Sequence, residues 1–171
     1  MQHTIIILAA LLASRCCAYE ITQEDGCFEV KYYSNTAGGW MTDNVAALTD
    51  HDYSTVFTKS DVELIELWAS CGEILFNAVH LAMDTASTTP TCTISVYVST
   101  GNSVEYCKTN VPYNDPSLWL FDCGLTGNEL NIVTDSCANI AIKEIAIWTE
   151  PIASIECPGY PIEGTALTLD T

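Results

Sequence analysis

The chain has 171 residues, one domain's worth of sequence with room for a substantial core, and nine of them are cysteine. Five Lys and Arg stand against 22 Asp and Glu, a formal net charge of −17. So acidic a chain repels phosphate backbones and anionic membranes, which excludes nucleic acid and leaves cationic partners, calcium or neutral ligands such as sugars.

Met1–Ala18 reads as a secretory signal. Ile5 to Ala13 is an apolar core too short to span a bilayer, and Cys16-Cys17-Ala18 offers small residues for cleavage before Tyr19. The basic n-region is missing, with only His3 in its place. No later run is long and apolar enough for a membrane span, so a secreted, extracellular chain is expected. Its strong cations are then Lys31, Lys59, Lys108 and Lys143, and it has no Arg. Seven cysteines remain: Cys27, Cys71, Cys92, Cys107, Cys123, Cys137 and Cys157. In an oxidising compartment they read as disulfides. Seven is odd, so one thiol is free, buried or paired with another chain, which would make a covalent homo-oligomer. The expected limits are a signal over 1–18, one domain over 19–157 and a tail over 158–171.

Glu20 to Gly26 is a polar lead-in. Phe28 to Tyr33 reads as a first strand, and Asn35 to Gly39 as a turn cluster before Trp40. Val45 to Leu48 suits one helical turn. Val62 to Trp68 fits helix or strand by period. Cys71-Gly72 stops it and a second β-rich run begins at once, which favours strand. Ile74 to Met83 is long and apolar, as in a strand buried on both faces. Asp84 to Pro90 is a loop. Thr93 to Ser99 alternates, with Ile94, Val96 and Val98 on one face. Val104 to Cys107 is a short strand, and Lys108 to Ser117, with two Pro and two Asn, a loop. Leu118 to Phe121 and Glu129 to Val133 are strands separated by Gly124 and Gly127. The last strand is Ile140 to Trp148. This spacing of short strands predicts an all-β sandwich or jelly roll of roughly eight strands.

One turn stands out. Asp50 and Asp52 lie two residues apart, Thr55 follows, and the Ala47 carbonyl is three residues upstream. Calcium takes roughly 6–8 oxygens of these types. Glu144 lies inside the apolar run 139–148, where a carboxylate is costly unless paired or bound to a metal.

The order of these pieces resembles the galactose-binding-like jelly roll. That superfamily holds the discoidin domains, the C domains of coagulation factors and the fucolectins (F-type lectins). The residues that carry the resemblance are Ala47, Asp50, Asp52 and Thr55 in the turn, then Trp68, Gly72, Ile74, Val79, Ile94 and Val96. Cys107, Cys123, Ile142, Glu144 and Ile145 complete it, over about Phe28 to Cys157. Two positions depart from the pattern. His51 replaces a glycine, which strains the turn if φ is positive there. Ser70-Cys71 stands in place of Asp-Leu before Gly72. The resemblance implies a structural calcium held by the carbonyls of Ala47 and Lys143 and the side chains of Asp50, Asp52, Thr55 and Glu144. It also implies the disulfides Cys107–Cys123 and Cys27–Cys157. Cys92–Cys137 is expected as a third, because each residue immediately precedes a strand. The fucolectin sugar grip, one His and two Arg, does not carry over to a chain without Arg.

No catalytic constellation is visible. His51 belongs to the proposed metal turn, and His80 lies in a buried strand where a structural histidine is expected. The cysteines are spoken for by disulfides, and zinc-type spacing is absent beyond the signal. The expected function is a secreted, disulfide-bonded, calcium-stabilised, lectin-like module, not an enzyme, that binds an extracellular glycan or protein. The alternative is an acidic structural or adhesive component of an extracellular matrix or coat without a defined sugar ligand. Recognition is expected on the loops Thr36–Asp43, Phe57–Asp61 and Asp84–Thr91, with Trp40, Lys59 and Asp84 as contacts. Lacking a guanidinium fork, such a surface prefers neutral or cationic ligands over sulfated or sialylated glycans.

Overall fold

The structure is a computed structural model that describes residues 20–21, 28–70 and 72–148. Eleven strands run through it in chain order: β1 (Glu20–Ile21), β2 (Phe28–Ser34), β3 (Gly39–Met41), β4 (Phe57–Ser60), β5 (Val62–Ala69), β6 (Ile74–Met83), β7 (Thr93–Ser99), β8 (Val104–Pro112), β9 (Leu120–Gly127), β10 (Glu129–Asp135) and β11 (Asn139–Trp148). Eight of them have seven residues or more, the number the sequence predicts; β1, β3 and β4 are short additions. Two 3₁₀ turns, Val45–Leu48 and Pro116–Leu118, are the helical pieces among the described residues.

All pairings are antiparallel. One sheet has the order β3-β2-β5-β10-β7-β8. Phe28, Val30 and Tyr32, Ile65 and Leu67, Ile94, Val96 and Val98, and Leu130 and Ile132 alternate along its strands as the inward, buried side chains. The second sheet has the order β1-β11-β6-β9, with β4 also on β11. The inner faces of the two sheets share one apolar cluster. This is the β-sandwich expected, and its eight long strands carry it.

The second sheet is irregular for a reason visible in the chain. In β11 the apolar parity slips, since Ile140 and Ile142 are even and Ile145 and Ile147 odd. All four are buried in the common core. A bulge reconciles them: Ile142 lies opposite Met83 and Glu144 opposite Ala82, so Lys143 is the extra residue. β6 and β9 shift similarly, with Phe76 opposite Leu125 and Ala78 opposite Asp122. Gly124, at φ +67°, fills the left-handed position in that bulge.

Three expectations are corrected. Phe57–Asp61 is not a loop: Phe57–Ser60 forms β4 and pairs with Asn139 to Ile142 of β11. The strand expected to end at Cys107 continues to Pro112. β8 lies at the sheet edge, where a terminal proline removes no ladder bond, and the Asn110 N–H donates to the Ser95 Oγ at 2.9 Å. Gly124 and Gly127 do not separate two strands; both lie within β9. Gly127 is there because nothing larger fits: a Cβ would stand 2.4 Å from the Val98 Cγ1 and 2.5 Å from the Ser99 carbonyl oxygen.

Disulfides join Cys92 to Cys137 and Cys107 to Cys123. The second ties β8 to β9 and so staples one sheet to the other. The expected Cys27–Cys157 bridge, together with Cys71, the signal and the tail, lies outside the described residues. Gly127→Ala is expected to cost about 1–3 kcal/mol, the range for overpacking a filled site. An unchanged denaturant midpoint for that variant rejects the close approach of β9 to β7.

Candidate functional site

β9 pairs with β6 only as far as His80 opposite Leu120. Beyond that point the end of β6 opens onto the connection from β8 to β9, and a cleft of about 560 Å³ forms between them. Leu81, Met83 and Leu118 supply apolar lining. Tyr53, Tyr113 and Trp119 supply aromatic lining, and Ser54, Thr85, Asn114, Asp115 and Lys143 supply polar groups.

Each group is placed by a local cause. The Asp115 carboxylate accepts the Ser117 N–H at 2.7 Å and starts the 3₁₀ turn, with proline in its first turn. That turn delivers Trp119. The hydrogen bonds from Ser117 hold the Asp115 carboxyl below the usual carboxylate range. Lys143 reaches the cleft because it is the bulged residue of β11. Tyr53 and Trp119 meet on His80. The imidazole Nδ1 lies 3.2 Å from the Tyr53 hydroxyl, and its ring meets Trp119 edge-on at 4.6 Å between centroids.

Chemically the cleft offers aromatic faces and an apolar floor to C–H surfaces. A carboxylate, an amide, two aliphatic hydroxyls, two phenols and one ammonium are available for hydroxyls. Asp115 is the one carboxylate among the described residues that line it.

The acidic turn lies next to the cleft, and Ser54 belongs to both. Phe57, two residues after Thr55, pairs with Ile142 of β11, and Ser54 lines the cleft together with Lys143. The Val45–Leu48 turn also packs on β11. Glu144 is fully buried there, at 0% exposure. In this structure the turn closes on itself. The Thr55 Oγ1 lies 2.8 Å from the Asp50 Oδ2, and the Asp52 Oδ1 accepts the Ser54 N–H at 2.9 Å and its hydroxyl at 2.6 Å. Those bonds keep the Asp52 carboxyl below its ordinary range. No group of three or more His, Cys, Asp or Glu side chains that could hold a metal ion occurs among the described residues. The donors themselves are carboxylates, a hydroxyl and carbonyls, the oxygen chemistry of calcium. His51 takes φ +57°, so this position uses the backbone for which a glycine is suited.

The expected recognition residues are dispersed. Asp84 immediately follows β6, its Oδ1 accepts the Ala86 N–H at 3.4 Å, and its neighbour Thr85 lines the cleft. Lys59 lies in β4, paired with the Asp43 carboxylate, which also accepts the Tyr32 hydroxyl at 2.6 Å. Both partners hold the Asp43 carboxyl low, Lys59 foremost. Trp40 belongs to β3, not to a loop. It stacks edge-on with Tyr33 of β2, at 5.7 Å, within the six-stranded sheet and away from the cleft. Trp119, Tyr113 and Asn114 were missed by sequence reasoning. Their signal was a Pro- and Asn-rich segment flanked by two aromatics.

No family model matches the chain, and no curated protein does. Solved structures do. The module CBM32-1 from a family 31 glycoside hydrolase of Clostridium perfringens is 14% identical, with a TM-score of 0.55 over 71% of this chain and 93% of that one. A second module from that organism, CpGH89CBM32-5 in complex with GalNAc-beta-1,3-galactose, is 15% identical, with a TM-score of 0.54 over 76% and 99%. The fold shared with these modules is the jelly-roll β-sandwich. A family 89 glycoside hydrolase from Clostridium perfringens, 15% identical, is matched over 74% of this chain and only 14% of its own, at a TM-score of 0.51. The likeness therefore covers a small part of that enzyme. At such identities the jelly roll is what is shared, and the cleft's function must be argued from its own side chains.

His80 gives the site a pH signature. Burial pushes its imidazole down to about 4 from the usual 6.5. The unfolded chain therefore takes up the proton first as pH falls. The stability conferred by neutral His80 is complete above about pH 6.5 and is lost progressively toward about pH 4. A shift of this size corresponds to about 3 kcal/mol. Replacing the ring by an uncharged amide, His80→Gln, should flatten this part of the profile. Denaturant titrations at about pH 7 and about pH 5 check it; an equal loss of stability in both proteins rejects the assignment.

Proposed function

We infer that this chain is a non-catalytic, extracellular carbohydrate-binding module that takes a neutral sugar into the cleft beside Trp119. The observation that carries this reading is the cleft itself. Three aromatic residues and an apolar floor are set against Asn114, Asp115, Thr85, Ser54 and Lys143. A sugar ring has the matching anatomy, apolar C–H faces and a polar rim, and Trp119 is held in place by His80 and the 3₁₀ turn. The neutral disaccharide bound by the Clostridium perfringens module supports the same class of ligand on the same fold. With one carboxylate among the lining residues, binding without hydrolysis is the activity proposed.

A glycan array followed by calorimetry with the best neutral hit tests the reading. Trp119→Ala is expected to weaken binding at least about tenfold, or about 1.4 kcal/mol. Asn114→Ala should weaken it too, while both variants keep the wild-type melting curve. An array on which no sugar binds saturably sinks this function and leaves the acidic matrix or coat component in its place.

Calcium is the second part of the reading. The ion would be held by the carbonyls of Ala47 and Lys143 and the side chains of Asp50, Asp52, Thr55 and Glu144. Its support is the oxygen-only donor chemistry and a fully buried Glu144 on β11, the strand against which β4 and the Val45–Leu48 turn lie. Lys143 would then serve both sites, its carbonyl toward the ion and its ammonium toward the sugar. Calcium is expected to raise the wild-type melting temperature by binding the folded state, and Glu144→Gln to abolish most of that rise. A melting curve unmoved by chelator removes calcium from the account and leaves the sugar reading intact.

A further inference from the structure

The outer face of the six-stranded sheet is a second surface, made of different strands from the cleft. Cross-strand register sets its side chains in rows. One row runs from Trp40 through Tyr33 and Leu64 to Val133. The next runs from Lys31 through Glu66, Asn131 and Tyr97 to Tyr106. A third holds Glu29, Trp68, Glu129, Ser99 and Val104. Trp40 is 45% exposed, Trp68 37%, Tyr106 59% and Val104 54%. Four of the five exposed large hydrophobics among the described residues thus share one face. Within it a shallow groove of about 480 Å³ opens between Trp40, Tyr33, Glu63, Leu64, Tyr97 and Val133. So much apolar surface gathered on one sheet marks an interaction site.

Charge says what fits. Glu29, Glu63 and Asp135 are exposed on or beside these rows, and Glu129 is half-buried. The one lysine of the rows, Lys31, is already paired with Glu66 at 2.7 Å. It also shows how the rings are used, since its Nζ lies 4.5 Å from the Trp40 ring centroid. Aromatic faces and carboxylates both attract cations and both repel anions. A second copy would bring the same negative face and a chain of net charge −17. Residues 149–171 offer no better match, with Glu150, Glu156, Glu163 and Asp170 and no Lys or Arg. We propose that this face docks a basic polypeptide segment, with Arg or Lys side chains over Trp68 and Tyr106 and against Glu63 and Glu29. The docking is independent of the sugar cleft.

The test uses the full chain with an oligo-arginine peptide, a glutamate peptide of equal length and a neutral oligosaccharide as probes, read by calorimetry and amide chemical shifts. The arginine peptide is expected to bind saturably and to shift residues of β2, β5, β7 and β10. Trp40→Ser with Tyr106→Ser removes two rings and no charge, and should weaken it about tenfold. Trp119→Ala, in the cleft, should leave it unchanged. Equal affinity in the ring-deleted protein would show attraction to net charge alone and overturn the proposal. So would shifts confined to other strands, or a neutral oligosaccharide occupying this face. If the double variant does not fold, the shift map on the wild-type protein decides by itself.

Discussion

β11 pairs with β1, β4 and β6, and its alternation slips by one residue at Lys143. Without the bulge, either Ile140 and Ile142 or Ile145 and Ile147 would turn away from the core. Exposing a buried Ile costs roughly 1.5–3 kcal/mol, so reversing two forfeits roughly 3–6 kcal/mol. That is comparable to the whole net stability of a domain, about 5–15 kcal/mol. The bulge is therefore forced by the order of isoleucines in the chain. It decides two other things at once: Lys143 is expelled toward the cleft, and Glu144 is carried to a fully buried position opposite Ala82.

The cleft follows from where strands stop. β9 begins at Leu120, so β6 outruns it by three residues, and the segment from Tyr113 to Trp119 covers the remainder. His80, the last β6 residue with a β9 partner, stands at that boundary and joins Tyr53 to Trp119. Its side chain is buried among Tyr53, Trp119 and Trp148, where only the neutral ring is comfortable. Ordering two aromatic walls thus comes with sensitivity to acid.

What could be read from the chain was whatever local pattern dictates. Strict alternation at Ile94, Val96 and Val98 placed β7 and its inward face. The Asp50–Thr55 spacing marked a turn, read as a calcium site, and the resemblance singled out His51, whose φ is +57°. Cys92 and Cys137, each just before a strand, met in space as expected. The failures came where a partner strand overrides local signals. Asn110 and Pro112 look like loop residues but ride on β7 as an edge strand. Gly124 and Gly127 look like breakers, yet one fills a bulge and the other a gap too tight for a Cβ. Trp119 and Tyr53 are 66 positions apart in sequence and share a cleft only through His80, a relation no periodicity encodes. Trp40 was singled out correctly as an exposed aromatic, but β3 pairs with β2 and puts it on a sheet face.

The two aromatic surfaces differ in how they handle charge, and this separates their chemistry. The cleft sets one carboxylate, Asp115, against one ammonium, Lys143, so neither sign dominates and hydroxyls are its natural partners. The sheet face has its single lysine neutralised by Glu66 and keeps a surplus of carboxylates around its rings. An exposed apolar sheet face is ordinarily an aggregation hazard. Here like charge on every copy opposes face-to-face pairing, while the same charge would attract the basic segment proposed for this face. The acidity of the chain therefore acts locally as well as on solubility. Trp40, Trp68 and Tyr106 stand exposed among carboxylates that set the sign of charge this face would attract.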